Sequence, residues 1–157
     1  MDARELESIY RRYGPIVVRR ASAILGNRQD AEELAQDLFE SFLAKPPAFE
    51  GRSSILTYLY KTTTNRALNI LRDGRNRRRL LEENVVDGPP GETPEARVLA
   101  SQVLANLPEE LAQAAVYAFV DGMSHAEIAE ILGCSRRHVG DLLQRVTARF
   151  SPIEEAS

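Results

Sequence analysis

Residues 124–150 read SHAEIAEILGCSRRHVGDLLQRVTARF, and this stretch decides how the chain is to be understood. Apolar or small residues fall at Ile128, Ala129, Leu132, Cys134, Val139 and Leu142, the pattern of two short helices packed across one seam. Ser124 with Glu127 three residues later has the spacing of a capping box. Ala129 stands where a larger side chain would push the two axes apart. Gly133 suits a left-handed helix end, and Ser135 is placed to cap the next helix. That second helix opens with Arg136, Arg137 and His138, the turn from which a helix in a major groove reaches bases and phosphates. The spacing predicts a helix-turn-helix; the plainer alternative is an antiparallel helix pair in an all-helical core.

The net charge of −3 opposes a nucleic-acid partner until it is divided along the chain. Residues 1–80 carry 15 Lys or Arg against 10 Asp or Glu, a balance of +5, while residues 81–157 carry 5 against 13, a balance of −8. Within 52–79 there are eight basic residues and one acid, so the positive charge is concentrated in one segment. A C-terminal half this acidic needs the other half to hold DNA.

The length of 157 residues suits one ordinary domain or two small ones. There is no long apolar run and no secretory leader, so no membrane insertion is expected and the cytoplasm is the expected compartment. The single cysteine, Cys134, cannot form an internal disulfide, and its place on the seam reads as packing. His125 and His138 are the only histidines, no second cysteine or acidic cluster joins them at ligand spacing, and no glycine-rich phosphate loop occurs. Neither an enzyme nor a metal or cofactor is expected.

Residues 3–25 read as helix, either in two segments or bent at Gly14-Pro15, with Leu6, Ile9, Tyr13, Ile16, Val17, Ala21, Ile24 and Leu25 apolar. Asp30 to Ala44 is a strong amphipathic helix with a stripe of Ala31, Leu34, Ala35, Leu38, Phe39 and Phe42, and an acidic flank that is either a solvated face or a docking surface. Lys45-Pro46-Pro47 breaks it. Helix resumes at Ser53 or Ser54 and runs to Arg72, with Ile55, Leu59, Thr62, Thr63, Ala67, Ile70 and Leu71 as inward or semi-inward positions. Tyr58, Lys61, Thr64, Asn65, Arg66, Asn69 and Arg72 lie between them, and Arg75 to Arg79 extends the positive charge. An aromatic ring among amides and cations suits an unpaired strand, since stacking holds a base while Lys or Arg neutralises phosphate. A solvated helix end or an acidic-lipid surface would use the same residues.

Residues 82–95, EENVVDGPPGETPE, form an acidic Pro/Gly-rich stretch expected to be an extended, flexible linker. The expected fold is all-α: two small helical domains, 1–80 and 96–157, joined by the linker 81–95. Past the linker, Ala96–Asn106 reads as one helix and Pro108 opens another running to Asp121, burying Leu111, Ala114, Ala115, Ala118 and Phe119 before Gly122.

Across nearly its whole length the chain resembles a bacterial RNA polymerase sigma factor of the extracytoplasmic-function (ECF) type, in the sigma-70 family. DAEELAQDLFESF from Asp30 is similar to the family's core-polymerase-binding helix. GRSSILTYLYKTTTNRALNILRD, residues 51–73, resembles the segment that recognises and opens the minus-ten element. LANLPEELAQAAVYAFVDGMSHAEIAEILGCSRRHV, residues 104–139, resembles the fourth region, which reads the minus-thirty-five element.

The resemblance implies partners and roles. Core RNA polymerase would dock on Asp30, Glu33, Gln36, Asp37 and Phe39, with the acids and amide facing it and Phe39 in the core or at the seam. Promoter DNA would meet Tyr58, Lys61, Asn65, Arg66, Asn69 and Arg72 at minus ten, and Ser135, Arg136, Arg137, His138 and Arg145 at minus thirty-five. An anti-sigma factor is a further partner the family admits. No covalent chemistry is implied for this chain.

The pattern also departs from the family. Tyr58 replaces the usual tryptophan, Asn69 the commoner aspartate, and Ala112 a frequent arginine. The recognition helix has Arg137, His138, Val139, Gly140, Asp141 and Leu142 where the family commonly has glycine-threonine-valine followed by lysine, serine and arginine. Asp141 repels phosphate, so an uncommon upstream element and weak DNA binding without polymerase are expected. Two other readings stay open: a stand-alone helix-turn-helix regulator, which leaves the 30–44 helix without a purpose, and a sigma-like interaction module without initiation activity.

Overall fold

The computed structural model describes residues 3–45, 52–74, 100 and 102–149, and all regular structure among them is helical. Chain contacts divide it into two units, Met1–Gln102 and Val103–Ser157. The expected linker, 81–95, and the basic run 75–79 lie outside the described residues, as do residues 96–99 and 101 of the helix expected at 96–106, of which residues 100 and 102–106 are helical.

The first unit is built on α1 (Ala3–Leu25), α2 (Arg28–Ala44) and α3 (Arg52–Asp73). Of the two expectations for residues 3–25, the single helix holds: α1 runs through Pro15, which lies on its exposed side and has no N–H to give the carbonyl one turn back. Tyr13, Val17, Ala21, Ile24 and Leu25 form its buried stripe, while Leu6, Ile9 and Ile16 are half-buried. Gly26, at φ 72°, ends the helix with its N–H on the Ser22 carbonyl, and Asn27 starts the next by accepting from the Asp30 N–H. A turn this tight folds α2 back on α1.

The apolar stripe of α2 is buried as its periodicity requires, from Ala31 to Phe42. A chain of ring contacts joins the three helices: Tyr10 to Phe39 at 5.0 Å, Phe39 to Phe42 at 6.0 Å and Phe42 to Tyr58 at 5.3 Å. On α3, Leu59, Thr63, Ala67 and Leu71 are buried as expected, joined by Leu68 and Thr64. Thr64 corrects its expected surface position, because its hydroxyl accepts from the buried Arg20 guanidinium at 2.6 Å.

The second unit holds α4 (Glu109–Ala115), a single π-helical turn (Val116–Val120), α5 (His125–Leu132) and α6 (Arg136–Ala148). At the π turn the Asp121 N–H reaches the carbonyl five residues back, Val116, at 3.2 Å. That wider turn takes the chain off the α-helical register on which the expectation for Phe119 rested. Phe119 is 68% exposed, and Val116 and Tyr117 are enclosed instead. Tyr117, Ile128, Ala129 and Val139 make the centre of this core, with Met123, Leu132, Cys134 and Leu143 packed around it. The small Ala129 at the crossing and the packed Cys134 agree with the reading of the seam.

Candidate nucleic-acid and partner interfaces

The helix-turn-helix has its ends closed by the residues expected to close them. The Ser124 hydroxyl accepts from the Glu127 N–H at 3.2 Å, and Glu127 Oε1 accepts from the Ser124 N–H at 2.9 Å, a complete capping box. The Ser124 backbone N–H, and then its hydroxyl, hold the Glu127 carboxyl below its ordinary 4.5. Gly133 sits at φ 72°, where a side chain would be strained, and the N–H groups of Gly133 and Cys134 both reach the Ala129 carbonyl. Ser135 caps α6 by accepting from the His138 N–H at 3.0 Å. Its hydroxyl is thereby used inside the motif.

Arg136, Arg137 and Arg145 are exposed along α6. His138 differs. Its Nε2 lies 2.6 Å from Glu110 Oε1 on α4, a pairing across 28 residues that no local spacing rule reveals. Ala112, one of the departures from the resembled pattern, is fully enclosed.

In the first unit, Lys61, Asn65, Asn69 and Arg72 fall at i, i+4, i+8 and i+11 and share one face of α3. Lys61, Asn69 and Arg72 are exposed, and Asn65 is half-buried. Tyr58 lies on the same stripe, half-buried, its ring edge-on to Phe42. Arg66 is half-buried beside the stripe and donates to the Ser41 hydroxyl of α2 at 3.0 Å. That hydroxyl in turn donates to the Asp37 carbonyl at 3.0 Å, so the basic face of α3 and the acidic face of α2 meet at one serine.

On α2 the exposed residues Glu33, Gln36, Asp37 and Glu40 fall at i, i+3, i+4 and i+7, one acidic stripe opposite the core. Asp30, expected beside them, is placed elsewhere, and of the two places expected for Phe39, core or seam, the core holds. Asp30 is 8% exposed, drawn inward at the first turn where its backbone N–H meets Asn27, so it does not share the open acidic face. Phe39 is 4% exposed and belongs to the core between Tyr10 and Phe42. Among the described residues no group of three or more His, Cys, Asp or Glu is placed to hold a metal, and no helix is long and apolar enough to cross a membrane.

Two helical units, one with an amide-and-cation stripe beside an acidic helix and one with a capped helix-turn-helix, define the class of protein. Residues 9–78 match the model of Sigma-70 region 2, and residues 97–149 match that of Sigma-70 region 4. The chain is 29% identical to the ECF RNA polymerase sigma-E factor of Haemophilus influenzae, over 82% of this chain and 75% of that protein. It is 32% identical to the ECF RNA polymerase sigma factor SigE of Mycolicibacterium smegmatis, over 81% of this chain and 52% of that one, of which it spans about half the length. The chain belongs to the sigma-70 family of RNA polymerase sigma factors, in its ECF type.

Proposed function

We propose a division of labour among the helices within the function the family carries. A sigma-70 family member directs RNA polymerase to promoters, and this chain does so with two units. The acidic stripe Glu33, Gln36, Asp37 and Glu40 of α2 docks on core polymerase, with Asp30 and Phe39 supporting it from within. On α3, Tyr58, Lys61, Asn65, Arg66, Asn69 and Arg72 hold the minus-ten strand once it is unpaired, amides on base edges and cations on phosphates. On α6, Arg136, Arg137 and Arg145 read or anchor the minus-thirty-five duplex, with Ser135 fixing the start of the helix. An anti-sigma factor would act by covering one of these faces.

The observation that supports this assignment is the order of the parts: an acidic helix, an amide-and-cation stripe and a capped helix-turn-helix, falling in the two matched regions. The test is run-off transcription with purified core polymerase, this protein and a pool of genomic fragments, with starts read by sequencing. Discrete starts sharing two spaced upstream elements are expected. Binding to core without any starts would instead favour an interaction module, and no binding to core would favour a stand-alone regulator.

A further inference from the structure

Of the residues opening α6, His138 is the one whose side chain the fold has already engaged. A carboxylate only accepts, so the 2.6 Å contact is a hydrogen bond donated by the ring Nε2–H to Glu110 Oε1. The same residue gives its backbone N–H to Ser135 at 3.0 Å. His138 is therefore held at two points, one on its own helix cap and one on α4, whereas Arg136 and Arg137 stand open to solvent. Both partners of the side-chain bond remain partly exposed, 39% and 56%, so the pair lies at the surface beside the turn that would face DNA.

We propose that Glu110 is a specificity-determining residue of this unit: by holding the His138 imidazole on α4 it keeps that ring out of the upstream element and leaves reading to the arginines. The proposal rests on α6 being the reader of that element. A released imidazole has an N–H and reach enough to hydrogen-bond a base acceptor or a phosphate; a ring whose Nε2–H is given to a carboxylate has that donor spent. Glu110 also places a negative charge beside the DNA-facing turn. Glu109, exposed next to it, carries the same charge without a histidine against it, so the two effects separate.

The experiment is transcription by core polymerase and the full chain from promoters randomised in the upstream element, with the selected bases read by sequencing. His138→Ala is expected to leave the base preferences of the unaltered chain within about twofold, since the ring does not read them. Glu110→Ala is expected to create a new preference of about tenfold at one position, and the double variant Glu110→Ala with His138→Ala to lose it. Glu109→Ala should raise binding to all sequences alike. Glu110→Gln keeps an acceptor for the ring without the charge, and should match Glu109→Ala in affinity and the unaltered chain in preference. The proposal is overturned if His138→Ala by itself changes the preferred bases, if Glu110→Ala behaves as Glu109→Ala, or if Glu110→Gln shifts preference as Glu110→Ala does. Arg136→Ala, Arg137→Ala and Arg145→Ala serve as the references: if none of them changes the upstream motif, α6 is not the reader and the assignment beneath the proposal falls with it.

Discussion

Arg20 Nη2 donates to Thr64 Oγ1 at 2.6 Å, joining α1 to α3 inside the first unit, and the same guanidinium lies 4.3 Å from the centroid of the Tyr60 ring. A hydrogen bond to a charged group contributes about 1.5–3 kcal/mol, and removing one partner leaves the buried cation less well solvated. Thr64→Val keeps the shape and removes the acceptor. It is expected to lower stability by about 1.5–3 kcal/mol in urea denaturation of the full chain. A change within about 0.5 kcal/mol, the usual effect at an open surface position, would show that the bond adds little.

Asn65 is half-buried on the stripe that includes Lys61 and Arg72. If it holds an unpaired base, Asn65→Ala impairs strand opening more than it weakens the closed complex. Permanganate reactivity of the melted bases should fall while footprints of the closed complex persist. Unchanged reactivity would remove Asn65 from the opening step.

Arg136 and Arg137 lead the exposed first turn of α6. Replacing either by alanine is expected to cost about 1–3 kcal/mol of promoter binding if it makes a bidentate base contact. The loss should be confined to templates with an intact upstream element. Equal losses on templates scrambled there would contradict the assignment to base reading.

Gly140 lies within α6 and outside the left-handed region, and a Cβ built on it meets the His125 ring at 3.9 Å, an ordinary contact. The missing methyl therefore reflects no steric need in the folded unit. Gly140→Ala is expected to raise stability by about 0.5–1 kcal/mol, measured by thermal denaturation. A drop in melting temperature would mean that the helix tolerates no side chain there.

The capping box makes the second unit sensitive to acid. Because the Glu127 carboxyl titrates below its ordinary 4.5 when folded, its contribution is fully present above that value and is lost as the pH falls through the lowered one. Glu127→Gln should therefore melt lower than the parent near neutrality, with the gap closing in acid. Ser124→Ala removes the cap itself and is expected to cost about 0.5–2 kcal/mol. A gap between parent and Glu127→Gln that stays constant into acid would dissociate it from the carboxylate.

Much of the site was legible because it depends on local rules. Ser124, Glu127, Gly133 and Ser135 act within a few residues of themselves, so their spacing was enough to place both ends of α5 and the start of α6. The stripe of α2 and the shared face of Lys61, Asn65, Asn69 and Arg72 follow from 3.6-residue periodicity in the same way. Arg66 is different. Its place beside the stripe was readable, but its bond to Ser41 was not, because that bond depends on how α2 crosses α3.

The sequence by itself determined that the chain is all-helical, where its caps and apolar stripes fall, and which family it resembles, since each is a matter of short-range spacing or of motifs in order. Only the tertiary structure decided that Thr64 and Asp30 turn inward, that Phe39 takes the core of its two expected places, that a π turn exposes Phe119, and that His138 is held by Glu110. These outcomes depend on partners up to 44 residues away, as with Arg20 and Thr64. A polar side chain at a given helical phase turns inward or outward according to whether such a partner can satisfy it.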